Sequence, residues 1–152
     1  MELKNIFEPS TTAYCLARLD KLSADTKPQW GKMSAPQMLA HLSVAYDLTY
    51  GVIDPKLNGF TKLMLKWFVK PTVVGDKPYK KNNRTAPFFL IDDDRDFAKE
   101  KDRLIANVKK TEMLGQKEFE GRDYVSFGKL TASEWSNLFY KHMDHHFTQF
   151  GV

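Results

Sequence analysis

Apolar residues recur at three- and four-residue steps in four stretches of the chain, the period of a helix that buries one face. The clearest is the last, Leu130–Gln149, where Trp135, Leu138, Phe139, His142, His146 and Gln149 form one stripe. Its start is well marked. Thr131 and Glu134 make a capping box, and Leu130 with Trp135 makes the hydrophobic staple that fixes how the chain comes in. A second stretch, MSAPQMLAHLSVAYDLTYG, opens in the same manner. Ser34 and Gln37 form its capping box, Met33 and Met38 its staple, and Pro36 falls in the first turn, where proline is tolerated. Met38, His41, Leu42, Ala45, Leu48 and Thr49 are its inward stripe, and Gly51 stops it. The first of the four begins at Pro9–Thr12, carries Cys15, Leu16, Leu19 and Leu22, and should end near Ser23–Thr26. The third long helix follows Asp92–Asp96, buries Phe97, Leu104, Ile105 and Val108, and should end at Leu114-Gly115.

Between the second and third of these lies a different kind of segment, Pro55 to Ile91. Leu57–Phe68 has a wide apolar face, with Lys62 and Lys66 on the other side. That pattern suits a basic amphipathic helix on a membrane surface. A short piece of this kind more often lids a core, and that is the reading adopted. Pro71, Gly75, Pro78 and Pro87 predict extended chain after it, with a solvated loop at KPYKKNNR. So long a connection between helices suits neighbours that point the same way, because antiparallel ones need only a short turn. Residues 116–129 read as a connector. The expectation is an all-α protein with four principal helices, a long crossover between the second and third, and one domain over residues 1–152.

Composition narrows the setting. At 152 residues, 42% hydrophobic and 28% charged, the chain can build a core without staples. Its one cysteine, Cys15, excludes an internal disulfide and fits a reducing compartment, and the bland reading as a small core residue is preferred. The start MELKNIFEPS has no basic-then-apolar leader pattern, and no run approaches the ~20 apolar residues of a bilayer span, so a cytoplasmic location is expected. The net charge of +4 is interspersed and no base-reading motif accompanies it; neither nucleic acid nor a membrane is expected as a partner. Asp92, Asp93, Asp94 and Asp96 serve as helix-start acids rather than metal ligands. Eleven phenylalanines, three tryptophans and the 57–68 face are much to hide in one small bundle, which predicts a homodimer.

The histidines point to chemistry. All four lie on two helices, and at least three, His41, His142 and His146, fall on apolar stripes. A buried imidazole needs partners, and several together with none evident suit a shared metal. Counted from their matched caps, these three keep nearly the same angular position. Spacing alone leaves the pair on the last helix open: His142 with His146 stands one turn apart, and His142 with His145 can also chelate. His145 and His146 point about 100° apart and are not expected on one ion together. Three neutral imidazoles leave ligand positions for water or substrate, the pattern of a catalytic site. Nitrogen ligation suits zinc, nickel, copper or iron. Metal-activated hydrolysis and thiol transfer are the chemistries within reach; the alternative is a non-catalytic helical bundle in which the histidines form a structural polar cluster or a partner-binding core.

At MSAPQMLAHL, at FGKLTASEWSNLFYKHMDHHFTQFG and more loosely through RTAPFFLIDDD and the third long helix, the sequence resembles the DinB/YfiT-like superfamily, in a branch of unknown function. The resemblance implies an up-down-down-up four-helix bundle. It also implies a metal, often zinc or nickel, on one histidine of the second helix and a His-x-x-x-His pair of the fourth. Carried over, that pattern falls on His41, His142 and His146, with His145 at the rim. Gln149, seven residues after His142, returns to the same helix face and is placed to orient a ligand. The activities implied are thiol S-transfer with a low-molecular-weight thiol, or metal-dependent hydrolysis or isomerisation of a small-molecule substrate. A histidine that often precedes the Phe-Gly before the last helix in this branch is replaced by Tyr124-Val125-Ser126.

Overall fold

Both capping boxes form. Ser34 accepts from the Gln37 amide while the Gln37 side chain accepts from the Ser34 amide, and Thr131 with Glu134 repeats the arrangement. In this computed structural model, which describes residues 2–83 and 85–152, they open two of the long helices. Along the chain the helices are α1 Pro9–Leu19, α2 Ala35–Thr49, α3 Gly59–Met64, α4 Lys70–Val74, α5 Phe97–Phe119 and α6 Ala132–Gln149. A π-helical turn, Leu65–Val69, joins α3 to α4, and a single 3-10 turn covers Pro87–Phe89. The only strands among the described residues are the two-residue β1 Asp123–Tyr124 and β2 Gly128–Lys129, paired antiparallel. The chain is thus mostly helical, as its periodicity predicts.

α2 packs chiefly on α5 and also on α6, and α1 lies against α5 and α6. The centre is aromatic: Tyr46 of α2 stacks on Phe139 of α6 with ring centroids 4.4 Å apart, and Phe119 and Trp135 close edge-on at 5.5 Å. All four rings are buried, and each contributes roughly 1.5–3 kcal/mol from transfer out of water. α2 is buried all round from Met38 to Thr49 rather than along one stripe. Two of its buried polar groups are paired, Asp47 accepting from Arg103 of α5 and Thr49 donating back to the Ala45 carbonyl, whereas the Ser43 hydroxyl has no partner among the described residues.

Four boundaries differ from the sequence expectation. α1 stops at Leu19, short of Ser23–Thr26, and the turn that follows still buries Leu22. Gly115 does break helical geometry, with φ 73° and ψ 167°, but helix resumes and delivers Phe119 to the core. Pro71 does not start extended chain. The turn before it widens to a π-helix, with the Lys70 amide donating to Leu65, which makes room for the proline ring and its missing donor. Helix then continues to Val74. The connector at 116–129 is not featureless either: its second half forms the β1–β2 hairpin, with Gly128 at φ 73°.

The Gly59–Val74 segment covers the core with only part of its apolar surface. Val74 is buried and Leu65 and Val73 pack against the core, whereas Phe60, Leu63, Met64, Trp67 and Phe68 face outward. Lys141 of α6 holds the segment down, its ammonium donating to the carbonyls of Thr72 (2.8 Å) and Gly75. Among the described residues no helix is long and apolar enough to cross a membrane.

Candidate metal centre

The matched caps start α2 and α6 in equivalent registers, and the consequence is visible at their facing sides. His41 of α2 and His142 and His146 of α6 come together, one nitrogen from each lying within 4.8 Å of the others. Their rings meet edge-on, with centroids 4.7 to 5.1 Å apart. His41 and His146 are buried and His142 is half-buried. Three histidines this close can hold a metal ion.

The hydrogen bonds fix which nitrogens face inward. His41 Nδ1 lies 2.8 Å from the Phe89 carbonyl oxygen, which can only accept, so Nδ1 carries the proton and Nε2 is bare. Gln149 donates its amide Nε2–H to the Trp30 carbonyl at 2.6 Å, so its Oε1 is the acceptor for His146 Nδ1, also at 2.6 Å. That again leaves His146 Nε2 bare. His142 Nε2 sits 2.9 Å from His41 Nε2 and must carry the single proton between them. Three inward nitrogens therefore share one proton, and a divalent cation can take its place. Two ligands on one ion at ~2.0–2.1 Å stand roughly 3.3 Å apart in a tetrahedral site. His41 Nε2 and His142 Nε2, at 2.9 Å, stand a little closer than that, and all three nitrogens lie within 4.8 Å, so small side-chain shifts and loss of the His142 Nε2 proton would accommodate an ion.

Electrostatics keep these nitrogens neutral. Burial pushes the His41 pKa down, partly countered by the Phe89 carbonyl. Burial, then the neighbouring imidazoles, holds His142 well below the usual histidine value. Burial likewise brings His146 down to about 3. A histidine binds metal as the neutral imidazole, and burial favours that form at all three; His142 alone has still to clear its Nε2 proton.

A cavity of about 530 Å³ opens from the three histidines. Its wall is largely apolar, including Phe88, Phe89 and Leu138, and exposed Lys80 and Asn83 stand at its rim. Tyr124 and Ser126 occupy the wall before α6. His145 is half-buried in the same wall, edge-on to His146 at 5.0 Å and to Trp30 at 6.0 Å, but outside the three-nitrogen group. Of the two pairs left open by spacing, the structure brings His142 and His146 together with His41. Of the four acids before α5, Asp96 caps the helix, accepting from the Lys99 amide, while Asp93 pairs with Arg95.

Sequence reasoning missed the groups that orient the ligands through backbone. The Phe89 and Trp30 carbonyls have no signature, because any residue supplies a carbonyl. Gly31 is a partial signal: it adopts φ +82°, and a Cβ there would lie 2.5 Å from Gln149 Nε2.

These features define a mostly helical protein whose two histidine-bearing helices set a three-imidazole centre at the base of a cavity. The chain belongs to the family described as Protein of unknown function (DUF1569), which matches residues 8–151. Comparison with curated proteins and with solved structures gave no match.

Proposed function

We propose that this protein is a metal-dependent enzyme of the DinB/YfiT-like kind, with His41, His142 and His146 holding one divalent ion, zinc or nickel by preference. The observation that carries the reading is the donor set: the three inward-facing nitrogens of neutral imidazoles have one proton among them, in the lining of a cavity rather than in a sealed core. The arrangement of α1, α2, α5 and α6, with the long passage from α2 to α5, is read as the up-down-down-up bundle of that superfamily. A bound divalent ion supplies positive charge that lowers the pKa of a water or thiol at the site.

The chain's own residues do the rest. Phe89 and Gln149 lock the tautomers of His41 and His146, so both Nε2 lone pairs point at the centre without reorganisation. The apolar wall of Phe88, Phe89 and Leu138 excludes water around the reacting groups and accommodates the apolar part of a small molecule. The reaction is S-transfer with a low-molecular-weight thiol or hydrolysis of a small substrate, in a reducing, cytoplasmic setting consistent with the single free thiol of Cys15. The test is to load the purified protein with zinc or nickel and incubate it with panels of thiols plus electrophiles, and with ester and amide substrates. Metal-dependent turnover that disappears in His41→Ala is expected; turnover unaffected by metal removal or by that substitution would overturn the reading.

A further inference from the structure

We propose that the outer face of Gly59–Val74 seats the protein on an anionic lipid surface. Phe60, Leu63, Met64, Trp67 and Phe68 recur at i, i+3, i+4, i+7 and i+8, the spacing of one helical face, and that face is turned to solvent. Phe60, Trp67 and Phe68 are about 70% exposed, at 73%, 69% and 70%. Large aromatic side chains grouped on one exposed face mark an interaction site, unlike apolar residues scattered singly.

Charge selects the occupant. From Pro55 to Gly75 the sequence holds four lysines, Lys56, Lys62, Lys66 and Lys70, and no acid. Lys70 pairs with Glu134 and Lys56 with Asp54, while Lys62 and Lys66 are exposed and have no acidic partner among the described residues. A second copy of this chain would bring the same lysines up against their own kind. A stable dimer also needs about 20–30 residues a side, far more than one short helical face offers. Tryptophan and phenylalanine on one side with free lysines beside them is instead the composition of a helix lying in the headgroup layer of an anionic bilayer. The homodimer predicted from composition would use this same face, and the charge pattern argues for lipid over self-association.

The location also has a consequence. Leu65, Val69 and Val73 of the segment line the histidine cavity, and Lys141 ties the segment to α6 one residue before His142. A docked protein therefore has its cavity wall against the lipid, whether or not a metal occupies the histidines.

The test is flotation of the full chain with phosphatidylcholine vesicles, with and without phosphatidylglycerol. Binding is expected only with the anionic lipid, together with a blue shift of Trp67 fluorescence, since Trp135 is buried and Trp30 half-buried. Lys62→Glu/Lys66→Glu should weaken it roughly 25-fold or more, at about fivefold per lysine, and Trp67→Glu/Phe68→Glu should abolish it. Both pairs are exposed, and unchanged circular dichroism would show that the fold is kept. No association with anionic vesicles, or association that survives Trp67→Glu/Phe68→Glu, would overturn the proposal. So would sedimentation as a dimer that these substitutions dissociate, which would make the face a self-interface.

Discussion

Gln149 is the residue through which the site can be perturbed without touching a ligand. It is 4% exposed and makes two bonds of 2.6 Å, donating to the Trp30 carbonyl and accepting from His146 Nδ1–H. Gln149→Ala leaves the buried His146 Nδ1–H and the half-buried Trp30 carbonyl without their partner, at about 1–3 kcal/mol each. The sum is roughly 2–6 kcal/mol of stability, or a fall in Tm of roughly 4–24 °C at about 2–4 °C per kcal/mol for a domain of this length. It also frees His146 to rotate and to change tautomer, and losing such an outer partner typically lowers metal affinity about 10–100-fold. Gln149→Glu separates the two effects. A carboxylate still accepts from His146 Nδ1–H but has no hydrogen for the Trp30 carbonyl, so stability should fall while zinc affinity stays within a few-fold of the parent. Calorimetric unfolding of the metal-free proteins and zinc titration by isothermal calorimetry measure each side. Parent-like zinc affinity in Gln149→Ala, or equal affinity losses in Ala and Glu, would refute the idea that tautomer control by Gln149 organises the site.

Other outcomes follow from burial. The unfolded chain takes up protons on histidine below about pH 6.5, whereas burial delays His146 in the folded state to about 3. Stability of the metal-free protein should be complete above pH 6.5 and be lost as pH falls towards 3, by about 1.4 kcal/mol per pH unit from His146 alone; urea unfolding at pH 7 and pH 5 that gave equal stabilities would contradict this. Cys15 is 1% exposed and burial pushes its thiol up to about 12, so an aromatic disulfide reagent should react with it only at the rate of unfolding. Rapid labelling of the native protein would show that α1 opens independently. Thr131→Ala removes the side-chain acceptor for the Glu134 amide at the start of α6, and thermal unfolding should register about 1 kcal/mol.

The sequence was most legible where local chemistry decides. The capping boxes at Ser34 and Thr131 are local, and they set the registers that turn His41, His142 and His146 to a common point. Spacing alone could not separate His145 from His146. That choice depends on how α2 sits against α6, and no pattern within one helix states it. The end of α1 and the continuation of α5 past Gly115 were misread for a related reason. Local stop signals predict where a helix is free to end, whereas the burial of Leu22 and Phe119 decides what the chain does next. Gly59–Val74 was legible as amphipathic, but how its wide apolar face divides between core and solvent was not: Leu65 and Val73 turn inward while Phe60, Trp67 and Phe68 turn outward. The Phe89 and Trp30 carbonyls lie beyond any reading of side chains.

The central claim is that His41, His142 and His146 form one metal site. Metal content per chain after zinc loading and desalting tests it most directly, measured on the parent and on His41→Ala, His142→Ala, His146→Ala and His145→Ala. The account predicts one ion per chain in the parent and in His145→Ala, and little or none in the other three. Loss of the ion in His145→Ala with retention in His146→Ala, or a metal content that none of the four substitutions changes, would contradict it.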